Sequence, residues 1–525
     1  MNPEPQHLLT ILLLLPMLAA LAISCSPETA ARKLAIAFGG GMFGLSAFIL
    51  SQFDVSRGAD YQLVERVSWF EAPFPVQYFV GVDGMSLSLV VLTGFVTLMA
   101  ILASTSIGNN RPRLYYAMLM LLTFSVLGVF LSLDLLQFFV MYELELVPMY
   151  FLIAIWGGPR RAYASLKFLI YTFFGGVLML AGLVYMYTQM GASATFDMTS
   201  LTTMCPSLPK DVQLLACLGF FLAFIIKLPS FPVHTWLPDA HVEAPTPISM
   251  LLAGLLLKMG SYGLVRICLG FFPSFFVDYG PQIMALGAFN IVWAAMACLI
   301  QQDMKRIIAL SSVSHMGFVL LGVASLSSAA LSGAIFQMVS HGVISALLFF
   351  LVGAVYERTH TRQLPEIGGG LAKQMPNLFY FWMLGTMANL GLPGLSGFVA
   401  EAAVFYGSFT SPMATSVVNG HMVQGWIYFA ALGVILTAGY MLWLLKKVFY
   451  GEELDKWKGH LTDATGTEKI VAYSLSFSIL ALGIYPLMLI NYYQPVADKM
   501  ADDIKTHINV THKLDPVKKT AISLR

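Results

Sequence analysis

The stretch Ala223-Phe-Ile-Ile-Lys-Leu-Pro-Ser-Phe-Pro-Val-His-Thr-Trp-Leu-Pro-Asp-Ala-His-Val-Glu-Ala-Pro245 combines an apolar segment with two features that a lipid bilayer tolerates poorly. Lys227 ends a strongly apolar run, and a lysine near the middle of a membrane span costs roughly 2.5–3.5 kcal/mol on insertion scales. Pro229, Pro232 and Pro238 follow, and each proline removes an amide donor that lipid cannot replace. Both costs within a few residues predict a polar interior that is lined by protein.

The composition around this break defines the class of protein. Of the 525 residues, 58% are hydrophobic and 11% are charged, and the formal net charge is +1. So little charge in so long a chain predicts a polytopic membrane protein, with the lipid bilayer as its surroundings. The near-zero net charge argues against a nucleic-acid partner. No Lys or Arg precedes the first apolar run, which favours an uncleaved first span over a signal peptide.

Apolar segments recur along the chain and predict about fourteen transmembrane helices of about twenty residues each. We therefore predict an all-α polytopic membrane protein, with one membrane domain over residues 1–525 and a polar C-terminal tail over 493–525. The predicted spans are 7–25, 34–53, 77–106, 114–133, 135–156, 164–190, 212–246, 248–268, 280–301, 307–326, 329–356, 376–408, 424–448 and 468–492.

A second span is interrupted like the first. Span twelve reads Met387-Ala-Asn-Leu-Gly-Leu-Pro-Gly-Leu-Ser-Gly-Phe-Val-Ala-Glu401, with glycines and a proline at its centre. Paired interrupted segments indicate two inverted-topology transporter repeats with an ion site at the breaks. We predict an antiporter-like repeat over 114–268 and another over 280–450. The halves show no visible sequence identity, so this prediction rests on the paired breaks.

Basic residues predict the orientation of the chain, because Lys and Arg concentrate in cytoplasmic loops. They are frequent after odd-numbered spans and sparse after even-numbered ones, so the odd connections are expected in the cytoplasm and both termini on the outer side. The basic tail argues for the opposite orientation, but the repeated short loops outweigh it. The basic residues of the odd connections are Arg32, Lys33, Arg111, Arg113, Arg160, Arg161, Lys305, Arg306, Arg358, Arg362, Lys373, Lys446, Lys447, Lys456 and Lys458.

Ionisable residues inside the spans are the candidate functional groups. Glu143 lies near the middle of span five, where it is expected either to tune a nearby lysine or to carry protons itself. The alternative is that it only forms a hydrogen bond with a hydroxyl group in the bundle. Glu145 lies roughly 200° further around the helix, so it is open whether it faces the interior or a neighbouring subunit. Buried lysines such as Lys227 and Lys258 can carry protons reversibly. A Glu143–Lys227 ion pair would hold the proton on the lysine. The alternative is a structural salt bridge that only fixes helix packing.

Several histidines lie inside or beside the spans. His315 and His341, in spans ten and eleven, can relay protons through water, although His315 could equally be a structural donor. A second group, His234, Asp239, His241 and Glu243, follows the break at the expected outer end of span seven. It resembles a metal cluster superficially, but a polar helix end lining a water-filled vestibule is the preferred interpretation.

Five well-separated cysteines without a Cys-x-x-Cys predict no iron–sulfur or zinc site in this chain. No nucleotide-binding motif is visible either. We therefore expect no cofactor in this chain.

Six motifs together resemble the antiporter-like membrane subunit of respiratory complex I known as chain M or chain 4. The resemblance runs from about residue 82 to residue 450, and so many long motifs in order are specific. The motifs are Tyr142-Glu-Leu-Glu-Leu-Val-Pro-Met-Tyr150, Lys227-Leu-Pro with His234-Thr-Trp-Leu-Pro-Asp-Ala-His-Val-Glu-Ala-Pro245, Leu256-Leu-Lys-Met-Gly260, Ser314-His-Met-Gly-Phe318, Ser340-His-Gly342 and Leu392-Pro-Gly-Leu-Ser-Gly-Phe-Val-Ala-Glu401.

The resemblance implies a role for each candidate residue in a path for protons across the membrane. Glutamate at 401 favours chain M, because the paralogous subunits more usually carry lysine there. The pattern at 143–145 looks like the cyanobacterial and plastid branch, whereas 356–362 looks like the bacterial respiratory form. The implied roles are ion-pair acid for Glu143, its partner for Lys227, central lysine for Lys258, connecting histidines for His315 and His341, and terminal acid for Glu401.

The same resemblance implies a proton-translocating membrane subunit of an NAD(P)H or ferredoxin:quinone oxidoreductase, coupled to quinone reduction in other subunits. FMN or iron–sulfur clusters and the quinone are expected in partner subunits, which include two paralogous antiporter-like subunits. The expected location is a bacterial inner membrane, or a thylakoid membrane for a cyanobacterial chain. The alternative is a subunit of a multisubunit sodium/proton antiporter.

Overall fold

Long apolar helices dominate the computed structural model, which describes residues 7–70, 75–105, 110–414, 417–418 and 421–514. Within these ranges, twelve helices are long and apolar enough to cross a membrane. The prediction of a helical, polytopic membrane protein is therefore confirmed. The tail beyond residue 514 lies outside the described residues.

The first half of the chain holds ten helices and a hairpin. The helices are α1 (Leu8–Cys25), α2 (Glu28–Gln52), α3 (Gly84–Ala103), α4 (Pro112–Leu131), α5 (Leu135–Leu144), α6 (Leu146–Trp156), α7 (Arg161–Met190), α8 (Met198–Met204), α9 (Lys210–Lys227) and α10 (Trp236–Glu243).

The second half begins with a composite helix over Thr246–Leu269. It consists of α11 (Thr246–Leu251), a π-helical segment (Leu252–Leu256), α12 (Leu257–Gly263) and a second π-helical segment (Leu264–Leu269). The remaining helices are α13 (Pro273–Leu299), α14 (Met304–Ala324), α15 (Ser328–Thr359), α16 (Leu364–Ile367), α17 (Pro376–Asn389), α18 (Ser396–Phe409), α19 (Val423–Phe449), α20 (Gly466–Ile484) and α21 (Leu487–Leu514).

A β-hairpin corrects the all-α prediction. Strand β1 (Gln62–Phe70) pairs antiparallel with β2 (Val76–Val82), and a two-residue pair joins β3 (Val417–Val418) to β4 (His421–Met422). The residues assigned to the start of span three are therefore a strand. Helix α3 begins only after Asp83, whose side chain accepts from Ser86 N at 2.9 Å in a capping box. This strong helix start signal sets the boundary.

The interruption after Lys227 is stabilised entirely by protein groups. Prolines leave backbone carbonyls without their helical donors, and Ile225 O accepts instead from Ser230 N at 2.9 Å. Ile226 O accepts from the indole Nε1 of Trp236 at 2.9 Å. Non-helical backbone at membrane depth requires such partners, because lipid offers none.

The second interruption separates α17 from α18 and uses glycine. Gly391 and Gly394 have φ angles of +76° and +91°, a left-handed conformation that glycine adopts without a steric penalty. The chain thus leaves helical geometry between Asn389 and Ser396 before the next helix begins.

The last predicted span is also corrected. Helix α20 ends at Ile484, and α21 starts at Leu487 after Pro486, which cannot donate to a continuing helix. Residues 493–514 of the predicted tail are part of α21, which packs on α15 through a 2.6 Å hydrogen bond from Ser332 Oγ to Gln494 Oε1.

Burial places three spans at the centre of the protein. The apolar windows of Thr246–Leu269, α14 and α15 are 100% buried, whereas those of α1 and α2 are 33% and 28% buried. The three central spans carry Lys258, His315 and His341, respectively. The candidate residues therefore lie where packing can shield them from lipid.

Candidate functional site

Lys227 is the last residue of α9, and its side chain is almost completely buried, at 1% exposure. Its ammonium forms an ion pair with the carboxylate of Glu145. The same Nζ lies 5.2 Å from the ring centroid of Tyr142 and 5.6 Å from that of Phe168. A charge buried to this extent needs a counter-charge, and aromatic faces add a cation–π contribution.

The sequence predicts Glu143 as the ion-pair partner of Lys227, but the carboxylate in contact with the Lys227 ammonium is that of Glu145. Glu145 is fully buried within this chain. Helix α5 ends at Leu144 and α6 begins at Leu146. The interruption has a physical cause: Pro148 has no amide hydrogen to donate to the Leu144 carbonyl.

Glu143 packs against α7 and is near enough to Lys227 for the two charges to interact. It is half-buried, and a Cβ added at Gly176 of α7 would collide with its carboxylate. The two carboxylates therefore occupy different faces, as expected from their spacing, and Glu145 is the one that forms the ion pair with Lys227.

Lys258 lies at the middle of the span Thr246–Leu269 and is fully buried. Its Nζ donates to the Ala253 carbonyl at 2.5 Å and lies 2.7 Å from Nδ1 of His341. Ala253 belongs to the first π-helical segment. Single π-turns often occur at functional sites, because they alter the regular backbone hydrogen-bonding pattern.

A row of side chains continues from His341 across the bundle. The ring centroids of His341 and His315 are 5.5 Å apart. His315 Nδ1 lies 3.3 Å from Gln337 Nε2 and 3.4 Å from Oε1 of Glu401. The row therefore runs from α12 through α15 and α14 to α18.

Glu401 lies beside the second helix interruption. A Cβ at Gly391 would lie 2.8 Å from Glu401 Oε2, so the carboxylate packs directly against the break. The structure thus brings four predicted residues into one row, Lys258, His341, His315 and Glu401. It places Lys227 in a separate ion pair.

Several polar atoms along these elements have no hydrogen-bond partner within the described residues. Buried polar atoms without protein partners are the usual binding places of internal water. Histidine nitrogens connected by water can pass protons. The atoms are Tyr142 Oη, Glu143 Oε1, His315 Nε2, Gln337 Oε1 and His341 Nε2.

The group around Glu243 differs from its predicted setting. Arg160 donates its backbone N–H to Glu243 Oε2 at 2.8 Å, and Arg362 Nη2 lies 3.8 Å from Oε1. Both arginines belong to odd connections, so this end of span seven lies on the side that the orientation prediction assigns to the cytoplasm and not to the outside. The reason is topological, because span seven starts from an even connection.

The other members of that group are buried or paired with protein side chains. Asp239 forms an ion pair of 2.7 Å with Lys167. His241 is fully buried and stacks on Phe349, with ring centroids 4.2 Å apart. Among the described residues, no group of three or more His, Cys, Asp or Glu side chains could hold a metal ion.

Sequence reasoning missed two buried cations by counting them as loop charges. Arg266 forms an ion pair with Asp83, and the two side chains are 7% and 1% exposed, respectively. Lys305 is buried and donates to the Ala244 carbonyl at 2.6 Å. The Asp83-Gly-Met-Ser86 capping signal could have identified Asp83 as a helix start, but no local pattern pairs it with Arg266.

Comparisons with known proteins match almost the whole chain. A family model described as NADH:quinone oxidoreductase/Mrp antiporter, TM, matches residues 132–425. A second model, described as NADH-ubiquinone oxidoreductase chain 4, amino terminus, matches residues 63–132. The chain is 43% identical over 501 residues to the NAD(P)H-quinone oxidoreductase chain 4 1 of Synechococcus sp. (strain JA-3-3Ab), which covers 95% of this chain and 93% of that protein.

Solved structures show the same fold. A chain of respiratory complex I from Thermus thermophilus with bound NADH superposes with a TM-score of 0.84 and 26% identity, covering 94% of this chain and 99% of that chain. A chain of the Mrp complex from Dietzia sp. DQ12-45-1b superposes with a TM-score of 0.82 and 21% identity, covering 97% and 100%. The second likeness shows the fold alone.

Proposed function

The chain belongs to the NAD(P)H-quinone oxidoreductase chain 4 family, and from this premise we propose the route by which it moves protons. As a member of that family it is a proton-translocating membrane subunit of an NAD(P)H:quinone oxidoreductase, and it takes part in the translocase reaction of that complex. The electron transfer is assigned to other subunits.

The route uses two groups of side chains. The first is the Glu145–Lys227 ion pair with the nearby Glu143, and the second is the row of Lys258, His341, His315 and Glu401. The observation that carries the proposal is this row, because ionisable side chains in a fully buried span are expensive and mark ion pathways.

Charge separation couples the two groups. While Glu145 and Lys227 are paired, the carboxylate holds the proton on the lysine. When quinone reduction elsewhere in the complex separates the pair, the lysine loses its counter-charge in a low-dielectric site and releases the proton. Moving one proton against roughly 100 mV requires about 2.3 kcal/mol. The loss of a buried counter-charge, worth about 3–5 kcal/mol, is sufficient for this.

The architecture that we propose contains fourteen membrane helices in two inverted repeats, over 114–268 and 280–450. Supporting this arrangement, each half holds a helix that is broken by prolines or glycines next to an ionisable residue, Lys227 in the first half and Glu401 in the second. Contacts of Glu243 with Arg160 and Arg362 agree with placing the odd connections on one side. With basic loops in the cytoplasm, both termini lie on the outer side.

The partners follow from the family. The two paralogous antiporter-like subunits are proposed as neighbours, in a bacterial inner membrane or a thylakoid membrane. FMN or iron–sulfur clusters and the quinone belong to other subunits of the complex. The sodium/proton antiporter alternative has weaker support, because the likeness to the Mrp complex is one of fold.

Substitution of Lys258 tests the route in the assembled complex. Lys258→Met keeps the side-chain length but removes the proton carrier, and we expect the protons moved per quinone reduced to fall by about one subunit's share. The matched control is Lys373→Met, because Lys373 is exposed in a connection. Proteoliposomes with a pH-sensitive dye report the ratio. A parental ratio in Lys258→Met would refute the route, and isolation of the chain with antiporter subunits alone would support the alternative.

A further inference from the structure

A second cluster of buried charge lies on the span that carries Lys258. Arg266 is 6% exposed, and its Nη2 forms an ion pair with Asp83. Its Nη1 donates to the hydroxyl of Tyr61 at 3.1 Å, and its Nε donates to the hydroxyl of Tyr262 at 3.3 Å. The guanidinium therefore has a partner on each of its three nitrogens.

This cluster is aligned with the central lysine. Lys258, Tyr262 and Arg266 follow one another at intervals of four residues, which places them on one helix face. At 1.5 Å per residue, Arg266 lies about 12 Å further along the helix than Lys258. Tyr262 lies between the two cations, with its hydroxyl bonded to the arginine.

Aromatic rings close the space around Tyr262. The ring of Phe130 packs edge-on against Tyr262 with centroids 5.4 Å apart, and Phe138 stacks on it at 6.4 Å. The ring centroids of Tyr61 and Tyr262 lie 5.3 Å and 5.4 Å from the guanidinium carbon of Arg266. Aromatic rings and one cation thus surround Tyr262, between Lys258 and the end of the span at the even connection.

The cluster is also covered at the end of the bundle. Tyr61 comes from the connection before β1, and Asp83 caps α3. A Cβ at Gly58 would lie 2.6 Å from the Tyr492 carbonyl, so α21 crosses directly above this connection. Both contributors belong to the even connection, on the side opposite Glu243.

We propose that Arg266, held in place by Asp83, is an electrostatic seal that keeps protons on the outer side from returning to Lys258. Arginine stays protonated in proteins, and a fixed positive charge in a narrow pathway excludes protons. Its Nε donates to Tyr262, which lies between it and Lys258 along the helix, and its Nη2 pairs with Asp83. The inference rests on the proposed role of Lys258 as a proton carrier.

A comparable ion pair elsewhere in the protein provides the control. Arg358 binds Glu468 through two hydrogen bonds of 2.8 and 2.7 Å, and the side chains of Arg358 and Glu468 are 9% and 11% exposed, respectively. This pair joins the end of α15 to the start of α20. It should contribute to packing in the same way, but it lies on the side of the odd connections.

Passive proton conductance of the whole complex in proteoliposomes tests the seal without turnover. A potassium diffusion potential set with valinomycin drives protons, and an internal pH dye reports their flux. Asp83→Asn/Arg266→Gln removes both charges and keeps a residue that can cap α3. We expect the conductance to rise about tenfold, as removal of a charge barrier predicts. Arg266→Lys should keep it at the parental value, as should the control Arg358→Gln/Glu468→Gln.

Combination with a Lys258 substitution identifies the route of the leak. Adding Lys258→Met to Asp83→Asn/Arg266→Gln should return the conductance to the parental value, because the leak passes through the lysine. A parental conductance without Lys258→Met, or a leak that survives it, would overturn the proposal. If that double variant does not assemble, Asp83→Ser/Arg266→Met, which also removes both charges and keeps a residue that can cap α3, should leak as much, and a parental value there has the same meaning.

The two proposals fail in different ways. Parental proton pumping in Lys258→Met contradicts the proposed route, whatever the passive conductance. A tight Asp83→Asn/Arg266→Gln complex, together with impaired pumping in Lys258→Met, contradicts the seal alone.

Discussion

The ion pair at the first helix interruption predicts different effects for two neighbouring glutamates. Glu145 is fully buried against Lys227, whereas Glu143 is half-buried and directed at α7. Removing one member of a buried ion pair lowers the free energy of unfolding by about 3–5 kcal/mol, because the remaining charge has no counter-charge. We therefore expect Glu145→Gln to destabilise the protein by that amount and Glu143→Gln to change it by about 1 kcal/mol or less.

A double-mutant cycle isolates the pair. Lys227→Met alone should be destabilising, because it leaves the Glu145 carboxylate buried without a partner. Glu145→Gln/Lys227→Met removes both charges and should recover most of the lost stability. Thermal unfolding of the purified complex, followed by intrinsic fluorescence, measures the coupling between these residues.

Proton pumping gives the second readout. Both glutamates are assigned to proton transfer, so Glu143→Gln should lower the protons moved per quinone reduced while stability stays near the parental value. A second cycle with Glu143→Gln and Lys227→Met provides the comparison, and a larger coupling there than in the Glu145 cycle would refute the assignment of the pair. Unchanged pumping in Glu143→Gln would remove this residue from the route.

Two further predictions concern the packing that holds the first interruption. A Cβ at Gly260 would lie 2.8 Å from Leu228 N and Phe224 O, so Gly260→Ala should destabilise the protein by about 1–3 kcal/mol in the same unfolding assay. The control is Gly40→Ala, which has open space around it and should be neutral or slightly stabilising. Asn290→Ala removes the 2.8 Å acceptor of Phe231 N and should cost about 1–3 kcal/mol, with increased hydrogen exchange at that amide as its measured signature; unchanged exchange would contradict it.

The likeness to both complex I and the Mrp complex indicates that the fold does not itself define the partner reaction. The chain 4 relatives therefore supply the assignment to a quinone oxidoreductase, whereas the internal row of ionisable residues supports only the route.

The sequence by itself determined the membrane class, most span positions and the two interruptions. These are local properties, because hydrophobic length defines a span, and prolines and glycines define where backbone hydrogen bonding must change. The same local reasoning selected Lys258, His341, His315 and Glu401, since an ionisable residue in an apolar span is conspicuous wherever it lies. Their arrangement in one row could not be read from the chain.

Only the tertiary structure decided which charges meet. Glu143 and Glu145 are almost equivalent in sequence, and the turn caused by Pro148 directs Glu145 to Lys227. Arg266 and Asp83 lie 183 positions apart in the chain. An ion pair depends on distances of a few ångströms between elements, and those distances result from helix packing, which no local spacing encodes.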